Sequence, residues 1–148
     1  AGYAMRGGEI YVRGSAGYRA GIHMKAYQDK LPVMVIGGRA GSFIGEYLAG
    51  GTILVLGLHT DGKPPVGNFP CTGMHGGKLY IRGDVSRVLF PKQVTARAAS
   101  EEELREIEAL VSRYCAMFGG SVEDICAAGF TAVTPDSRNP YKQMYVAN

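Results

Sequence analysis

A repeated glycine spacing constrains the fold of this chain more than any other feature. Four segments, each ending in glycine, align at intervals of 24, 19 and 26 residues: GEIYVRG (8–14), PVMVIGG (32–38), GTILVLG (51–57) and GKLYIRG (77–83). Strand segments of constant length, separated by insertions at the same turns, are typical of stacked repeats. The sequence therefore predicts a mainly β fold, a single-stranded right-handed β-helix (β-solenoid), followed by a C-terminal helical segment.

The glycines of this repeat are predicted to have a structural role. Glycine adopts positive φ at turns and allows close backbone approach at corners. The predicted structural positions are Gly14, Gly17, Gly21, Gly38, Gly41, Gly45, Gly57 and Gly83. Gly2 matches Gly45 in this spacing. We therefore expect the β-helix to be truncated at its N-terminus, with the start of that coil upstream of Ala1 or on another chain.

The side chains of the four strand segments alternate as in half-buried strands. Two sets of equivalent positions are predicted to form the core: Ile10, Met34, Ile53 and Leu79, and then Val12, Ile36, Val55 and Ile81. The intervening positions form an apolar ladder on the outer wall: Tyr11, Val35, Leu54 and Tyr80. Such a patch is typical of a docking surface. Either this outer ladder contacts a partner subunit, or the helix at 101–118 folds over it.

The distribution of glycine divides the chain into two predicted parts. Residues 1–85 hold 19 of the 22 glycines and form the repeat, whereas residues 86–148 form a helix and a tail that pack on it. Ser100 and Glu103 are spaced as a capping box, apolar residues follow at intervals of three and four, and Gly119 ends the helix. A second helix is predicted at 122–128, a strand at 130–133 and an irregular tail at 135–140.

Composition argues against several classes of protein. The formal net charge of +3 is too small to favour nucleic-acid binding. No apolar run approaches the length of a membrane span, and no signal peptide opens the sequence. Three cysteines without a CxxC motif argue against a disulfide framework and favour a reducing, cytoplasmic location.

Two motifs that could bind a phosphate group or a metal ion are incomplete. Residues 57–64 read G-x-x-x-x-G-K-P, in which Pro64 replaces the hydroxyl residue of a phosphate-binding loop. His59, Cys71 and His75 lack a fourth ligand for a closed zinc site, so ordinary loop roles are favoured over metal binding. The sequence therefore predicts no catalytic, cofactor-binding or metal-binding residue in this chain.

The combined pattern resembles a known family. The glycine repeat between Gly2 and Val85 is similar to the C-terminal glycine-repeat (GXGXG) β-helix domain of the glutamate synthase large subunit, and to the related glycine-repeat subunit of formylmethanofuran dehydrogenase. The tail, FTAVTPDSRNPYKQ (130–143), looks more like the stand-alone form of the glutamate synthase domain. The spacing G-x-x-G-x-x-x-G follows the first two strand segments, at Gly14, Gly17, Gly21 and at Gly38, Gly41, Gly45. It is degraded in the third repeat, at 57–67.

This resemblance implies a non-catalytic role as a structural subunit. It implies that the chain holds an amidotransferase and an FMN-containing synthase, the two partners that convert glutamine and 2-oxoglutarate to glutamate. FMN and an iron–sulfur cluster are expected on those partner subunits. The alternative is a component like the glycine-repeat subunit of a formylmethanofuran dehydrogenase. A homo-oligomer is left open.

Overall fold

Six strands and two helices follow one another along the chain. In the computed structural model, the described residues are 2, 7–17, 20–21, 24 and 31–136. The elements are β1 (Glu9–Val12), β2 (Val33–Ile36), β3 (Ala49–Val55), β4 (Gly76–Arg82), β5 (Val94–Ala98), α1 (Glu101–Phe118), α2 (Val122–Cys126) and β6 (Phe130–Pro135). Neither helix is long and apolar enough to cross a lipid bilayer, a finding that covers these described residues.

The first four strands are parallel and pair in the predicted register. Ile10 lies opposite Met34, Met34 opposite Ile53, and Ile53 opposite Leu79. Because side chains alternate between the faces of a strand, this register also aligns the neighbouring positions on the opposite face. The four strand assignments are thus confirmed. Six of the eight predicted core positions are completely buried, whereas Ile10 and Val12 of β1 are only partly buried.

The predicted single-stranded right-handed β-helix is wrong. The sheet is open and mixed, with the strand order β1-β2-β3-β4-β6-β5. After β4 the chain adds β6 antiparallel to β4, and β5 antiparallel to β6. A β-solenoid contains only parallel strands around a closed core, whereas here two antiparallel strands extend the sheet on one side. Both predicted parts of the chain contribute to this sheet, and the boundary at residue 85 stays a prediction.

The two faces of the sheet support two separate apolar cores. Met34, Ile53 and Leu79 pack on one face with residues of the connecting loops, including Ile44 and Leu48. We call this cluster the loop-side core. On the other face, the sheet packs against the helices. Burial of apolar surface on both faces is typical of parallel strands.

The loops that connect the parallel strands are also hydrogen-bonded to one another. The Gly45 N–H donates to Ala20 O at 2.7 Å, and the Cys71 N–H donates to Ile44 O at 2.7 Å. Isolated parallel bridges join Ala16 to Ala40 and Ala40 to Val66. Each loop therefore lies in register with its neighbour, as the strands do.

Helix α1 begins and ends where the sequence predicts. Ser100 and Glu103 form the complete capping box, and Gly119 is the C-cap. Ile107, Leu110, Val111 and Tyr114 are buried, whereas Leu104, the first residue of the predicted stripe, is 41% exposed. Helix α2 ends at Cys126, two residues earlier than predicted, and β6 extends the predicted strand to Pro135. The predicted tail lies outside the described residues from 137 onward.

A buried carboxylate fastens the start of α1 to the sheet. Glu103 Oε1 and Oε2 accept hydrogen bonds from the Arg97 guanidinium at 2.7 and 2.9 Å. Lys78 Nζ donates to Oε2 at 2.8 Å, and the Ser100 N–H donates to Oε1 at 2.9 Å. Arg97 is the first cause of a pKa of Glu103 far below its ordinary value, and Lys78 and the Ser100 N–H also lower it. The carboxylate therefore stays ionised although it is only 5% exposed.

We predict that Gly37→Ala destabilises the protein by about 1–3 kcal/mol, the range for overpacking a closed site. A β-carbon at Gly37 would overlap Tyr114 Oη and Arg13 O, two atoms joined by a hydrogen bond of 3.0 Å between α1 and the loop after β1. Urea unfolding measures the change. Gly14→Ala is the matched control, because a β-carbon at Gly14 meets no atom within 4 Å. Equal stability of the two variants would contradict the prediction.

We predict that Glu103→Gln lowers the free energy of unfolding by about 1–2 kcal/mol at neutral pH, because the charged hydrogen bonds are lost while their exposed partners remain solvated. The folded-state pKa of Glu103 lies below the ordinary value of 4.5. The carboxylate therefore stabilises the fold fully above that value, and this contribution is lost as pH falls below it.

Urea unfolding at several pH values between about 3 and 7 tests this dependence. The wild type is expected to lose stability on acidification more steeply than Glu103→Gln does. Glu102→Gln is the control, since Glu102 is exposed in the same turn of α1. Parallel pH profiles for the wild type and Glu103→Gln would contradict the prediction.

Candidate functional site

Four of the eight predicted structural glycines have left-handed backbone conformations. These are Gly21, Gly45, Gly57 and Gly83, with φ between 61° and 86°. Gly38 is confined for another reason, because a β-carbon there would lie 2.5 Å from Ser15 Oγ in the neighbouring loop. Gly14 and Gly17 have open space around them, and the Gly41 N–H donates to Gly17 O at 3.3 Å.

The predicted outer ladder lies beneath helix α1. Tyr11, Val35, Leu54 and Tyr80 occupy one register across the four parallel strands. Val35, Leu54 and Tyr80 are completely buried in the cluster that contains Ile107 and Val111 of α1. Of the two alternatives that the sequence leaves open, the structure therefore shows the helix over these three residues. Tyr11 is partly buried at the edge of the same cluster.

Tyr80 and Glu106 make a further polar contact within this helix–sheet interface. Tyr80 Oη donates to Glu106 Oε1 at 2.6 Å, and Thr52 Oγ1 donates to Glu106 Oε2 at 3.4 Å. Burial is the main cause of a strongly raised pKa of Tyr80, and the Glu106 carboxylate adds to it. The phenol therefore remains a neutral hydrogen-bond donor that holds α1 on the sheet.

A different apolar surface is exposed on the loops that pack on the opposite face of the sheet. Phe69 is 42% exposed and Leu89 is 57% exposed. The Phe43 and Phe69 rings stack with centroids 5.8 Å apart. Backbone hydrogen bonds hold the three residues in adjacent layers, from the Phe43 N–H to Asn68 O and from the Phe69 N–H to Leu89 O. We call Phe43, Phe69 and Leu89 the apolar row.

Two residues of the apolar row have an unfavourable backbone conformation. Phe43 has φ 60° and Phe69 has φ 58°. The left-handed conformation costs a residue with a β-carbon about 1–2 kcal/mol. Tyr47, His59, Asp61 and Cys71 share it, so it is a feature of these connecting loops and not of the apolar row alone. Sequence reasoning missed this row. The signal is a shared Gly-x-Phe pattern, because each phenylalanine stands two residues after a glycine, Gly41 or Gly67.

A groove lies beside the loop that resembles an incomplete phosphate-binding motif. Thr60, Lys63, Arg82 and Arg87 line this groove of about 230 Å³. Strand β3 precedes the loop, and turn residues and then β4 follow it, so no helix N-terminus points at the motif in the described part of the chain. The loop therefore lacks the helix that completes a phosphate-binding loop.

The predicted loop residues His59, Cys71 and His75 do not form a metal centre. Within residues 7–17 and 31–136, no group of three or more histidine, cysteine or acidic side chains could hold a metal ion. Both histidines are exposed, whereas Cys71 is buried in the loop-side core. Burial raises the pKa of the Cys71 thiol to about 12. Cys71 is therefore a protonated, apolar core residue at neutral pH.

Comparison with known proteins places this arrangement in a family. The model of the GXGXG motif family matches residues 1–136. An uncharacterized protein of Methanocaldococcus jannaschii is 41% identical over 136 residues, which cover 87% of this chain and 52% of that protein. The chloroplastic ferredoxin-dependent glutamate synthase of Spinacia oleracea is 33% identical over 129 residues, 81% of this chain and 7% of the enzyme.

A second glutamate synthase is also similar to this chain over a small part of its own length. Ferredoxin-dependent glutamate synthase 2 of Synechocystis is 33% identical over 112 residues, 71% of this chain and 6% of that enzyme. The chain thus spans about half the length of the archaeal relative and a small part of each glutamate synthase. The family model covers the glycine repeat and the two helices and six strands of the described residues. The chain therefore belongs to the GXGXG motif family.

Proposed function

We propose that this chain is a non-catalytic scaffold domain or subunit of a glutamate synthase-type complex. The observation that carries the proposal is the coverage of the alignments, in which 81% of this chain corresponds to 7% of a ferredoxin-dependent glutamate synthase. Such coverage is expected of one module in a larger enzyme. The module would hold an amidotransferase and an FMN-containing synthase in place.

The roles of two buried ionisable groups, Glu103 and Tyr80, support a structural function. Glu103 binds Lys78 and Arg97 and fastens α1, and Tyr80 donates to Glu106 within the same interface. These pKa-shifted groups thus hold the fold together. On this proposal, the FMN and iron–sulfur chemistry belongs to the partner subunits. The named relatives favour glutamate synthase over the alternative, a glycine-repeat component of a formylmethanofuran dehydrogenase.

The apolar row is the proposed contact with a partner. Exposed aromatic side chains held rigidly are effective anchors in protein interfaces. Stacking of Phe43 on Phe69 fixes both rings before binding, so that little conformational entropy is lost on association. We place the complex in a reducing, cytoplasmic compartment, which the three free cysteines of this chain support.

We predict that Phe69→Asn weakens association with the amidotransferase and FMN-containing synthase subunits of the source organism by about tenfold or more, the scale expected for an aromatic anchor. Asparagine tolerates the left-handed backbone at this position, so the variant removes the ring with little added strain. Calorimetric titration of the purified chain with each subunit measures the affinity. Glutamine-dependent glutamate formation by the mixture measures assembly.

Met117→Gln is the matched control, because Met117 is 55% exposed on α1 rather than on the apolar row. Leu89→Gln should reproduce the effect of Phe69→Asn, and circular dichroism checks that each variant is folded. If the wild-type chain binds neither subunit, the scaffold proposal is wrong. If Phe69→Asn and the control bind equally well, the scaffold uses another surface.

A further inference from the structure

One edge of the sheet carries an excess of positive charge. The ends of the four parallel strands and the loops that follow them, at residues 13–17, 37–40, 56–65 and 82–87, contain five basic residues and two acidic residues, Asp61 and Asp84. The basic residues are Arg13, Arg39, Lys63, Arg82 and Arg87. Because the strands are parallel, their C-terminal ends meet at this edge. We call these five residues the basic edge.

Three of the four arginines of the basic edge donate to neutral carbonyl groups. Arg39 Nε donates to Pro64 O at 2.6 Å, and Arg87 Nη2 donates to Gly62 O at 2.5 Å. Both side chains thus reach the loop that contains Lys63. Arg82 donates to Ile125 O at 2.7 Å and to Leu56 O at 3.3 Å. These hydrogen bonds fix the positions of three guanidinium groups without neutralising their charges.

No carboxylate forms a salt bridge with any of the five, among the residues that the structure describes. Asp84 instead accepts hydrogen bonds from the Ser86 N–H at 2.9 Å and from Ser86 Oγ at 3.1 Å. The two Ser86 hydrogen bonds are the main causes of its lowered pKa, and the nearby charge of Arg87 adds a smaller effect. Lys78 and Arg97, in contrast, both bind Glu103 directly.

The basic edge concentrates positive charge at one end of the sheet. Lys63, Arg82 and Arg87 line one groove there, and a concentration of like charge attracts a ligand of opposite charge. Lys63 and Arg87 are exposed along this edge. Such an open surface suits carboxylates displayed on a protein surface better than an enclosed small anion.

We propose that the basic edge docks an acidic surface of a partner protein. The proposal rests on the assignment of the chain as a scaffold, and it supplies a second, electrostatic contact beside the apolar row. Carbonyl groups of the loop that contains Lys63 hold Arg39 and Arg87 in place, and Ile125 O of α2 holds Arg82. Lys63 provides an exposed ammonium group. Such charge complementarity accelerates association and selects the partner.

Charge reversal at Lys63 tests the basic edge. The probe is a fluorescein-labelled octaglutamate peptide, and fluorescence anisotropy measures its binding to the full chain. We expect the wild type to bind the peptide, Lys63→Glu to bind about tenfold more weakly, and added salt to weaken binding further. Arg105→Glu is the matched control, since it makes the same change in net charge at an exposed position of α1.

Three results would overturn this proposal. The first is that the wild type fails to bind octaglutamate at low salt. The second is that Arg105→Glu weakens binding as much as Lys63→Glu does, which would show a non-specific effect of net charge. The third is that an octauridylate of similar charge, or free inorganic phosphate, competes at least as well as the peptide per charge. Either competitor would assign the edge to nucleic acid or to a small anion.

The same variants, mixed with the amidotransferase and synthase subunits, separate this proposal from the scaffold proposal. If the wild type assembles and Lys63→Glu assembles equally well, the basic edge has no docking role while the scaffold role stands. If the wild type does not assemble but octaglutamate binding depends on Lys63, the scaffold proposal fails and the acid-binding edge stands. A tenfold loss of assembly in Lys63→Glu alone supports both.

Discussion

Parallel strands that pair residue for residue place equivalent side chains on the same face, and the rest of this structure depends on that pairing. The strands pair in a register that aligns Ile10, Met34, Ile53 and Leu79. The side chains on one face of the sheet therefore pack in the loop-side core, and those on the other face pack against helix α1. A slip of one residue would exchange the two faces. The same register aligns the loops, because each loop begins at the end of a paired strand. The apolar row and the basic edge are both consequences of this alignment.

Helix α1 explains why the outer ladder is apolar. Val35, Leu54 and Tyr80 need a cover, and α1 supplies it within the same chain. The Glu103 carboxylate and the Tyr80–Glu106 hydrogen bond orient the helix on the sheet. Apolar patterning indicates only that a face is covered. It contains no information on whether the cover comes from the same chain or from a partner.

Much of the fold was predictable because the signals are local. The strand segments repeat a glycine spacing, and Ser100 with Glu103 defines the helix start. The open, mixed sheet was not predictable in the same way. Strand β5, with the sequence VTARA, is mostly exposed and has a weak apolar pattern, and nothing local indicates that β6 inserts antiparallel between it and β4. Strand direction is a tertiary property, so repeat analysis alone led to the wrong β-helix.

The residues of the candidate site are present in the sequence, but no local pattern distinguishes them from ordinary loop residues. Phe43 and Phe69 look like ordinary loop aromatics until the structure shows their rings stacked on each other. The five basic residues of the basic edge are spread over 75 positions of the sequence, from 13 to 87, and a net charge of +3 hides their concentration. The stacked phenylalanines and most of the basic edge lie on the connecting loops, whereas the Glu103 carboxylate fastens α1 to the opposite face of the sheet. This division favours a molecule that uses one side for its own stability and the other for association.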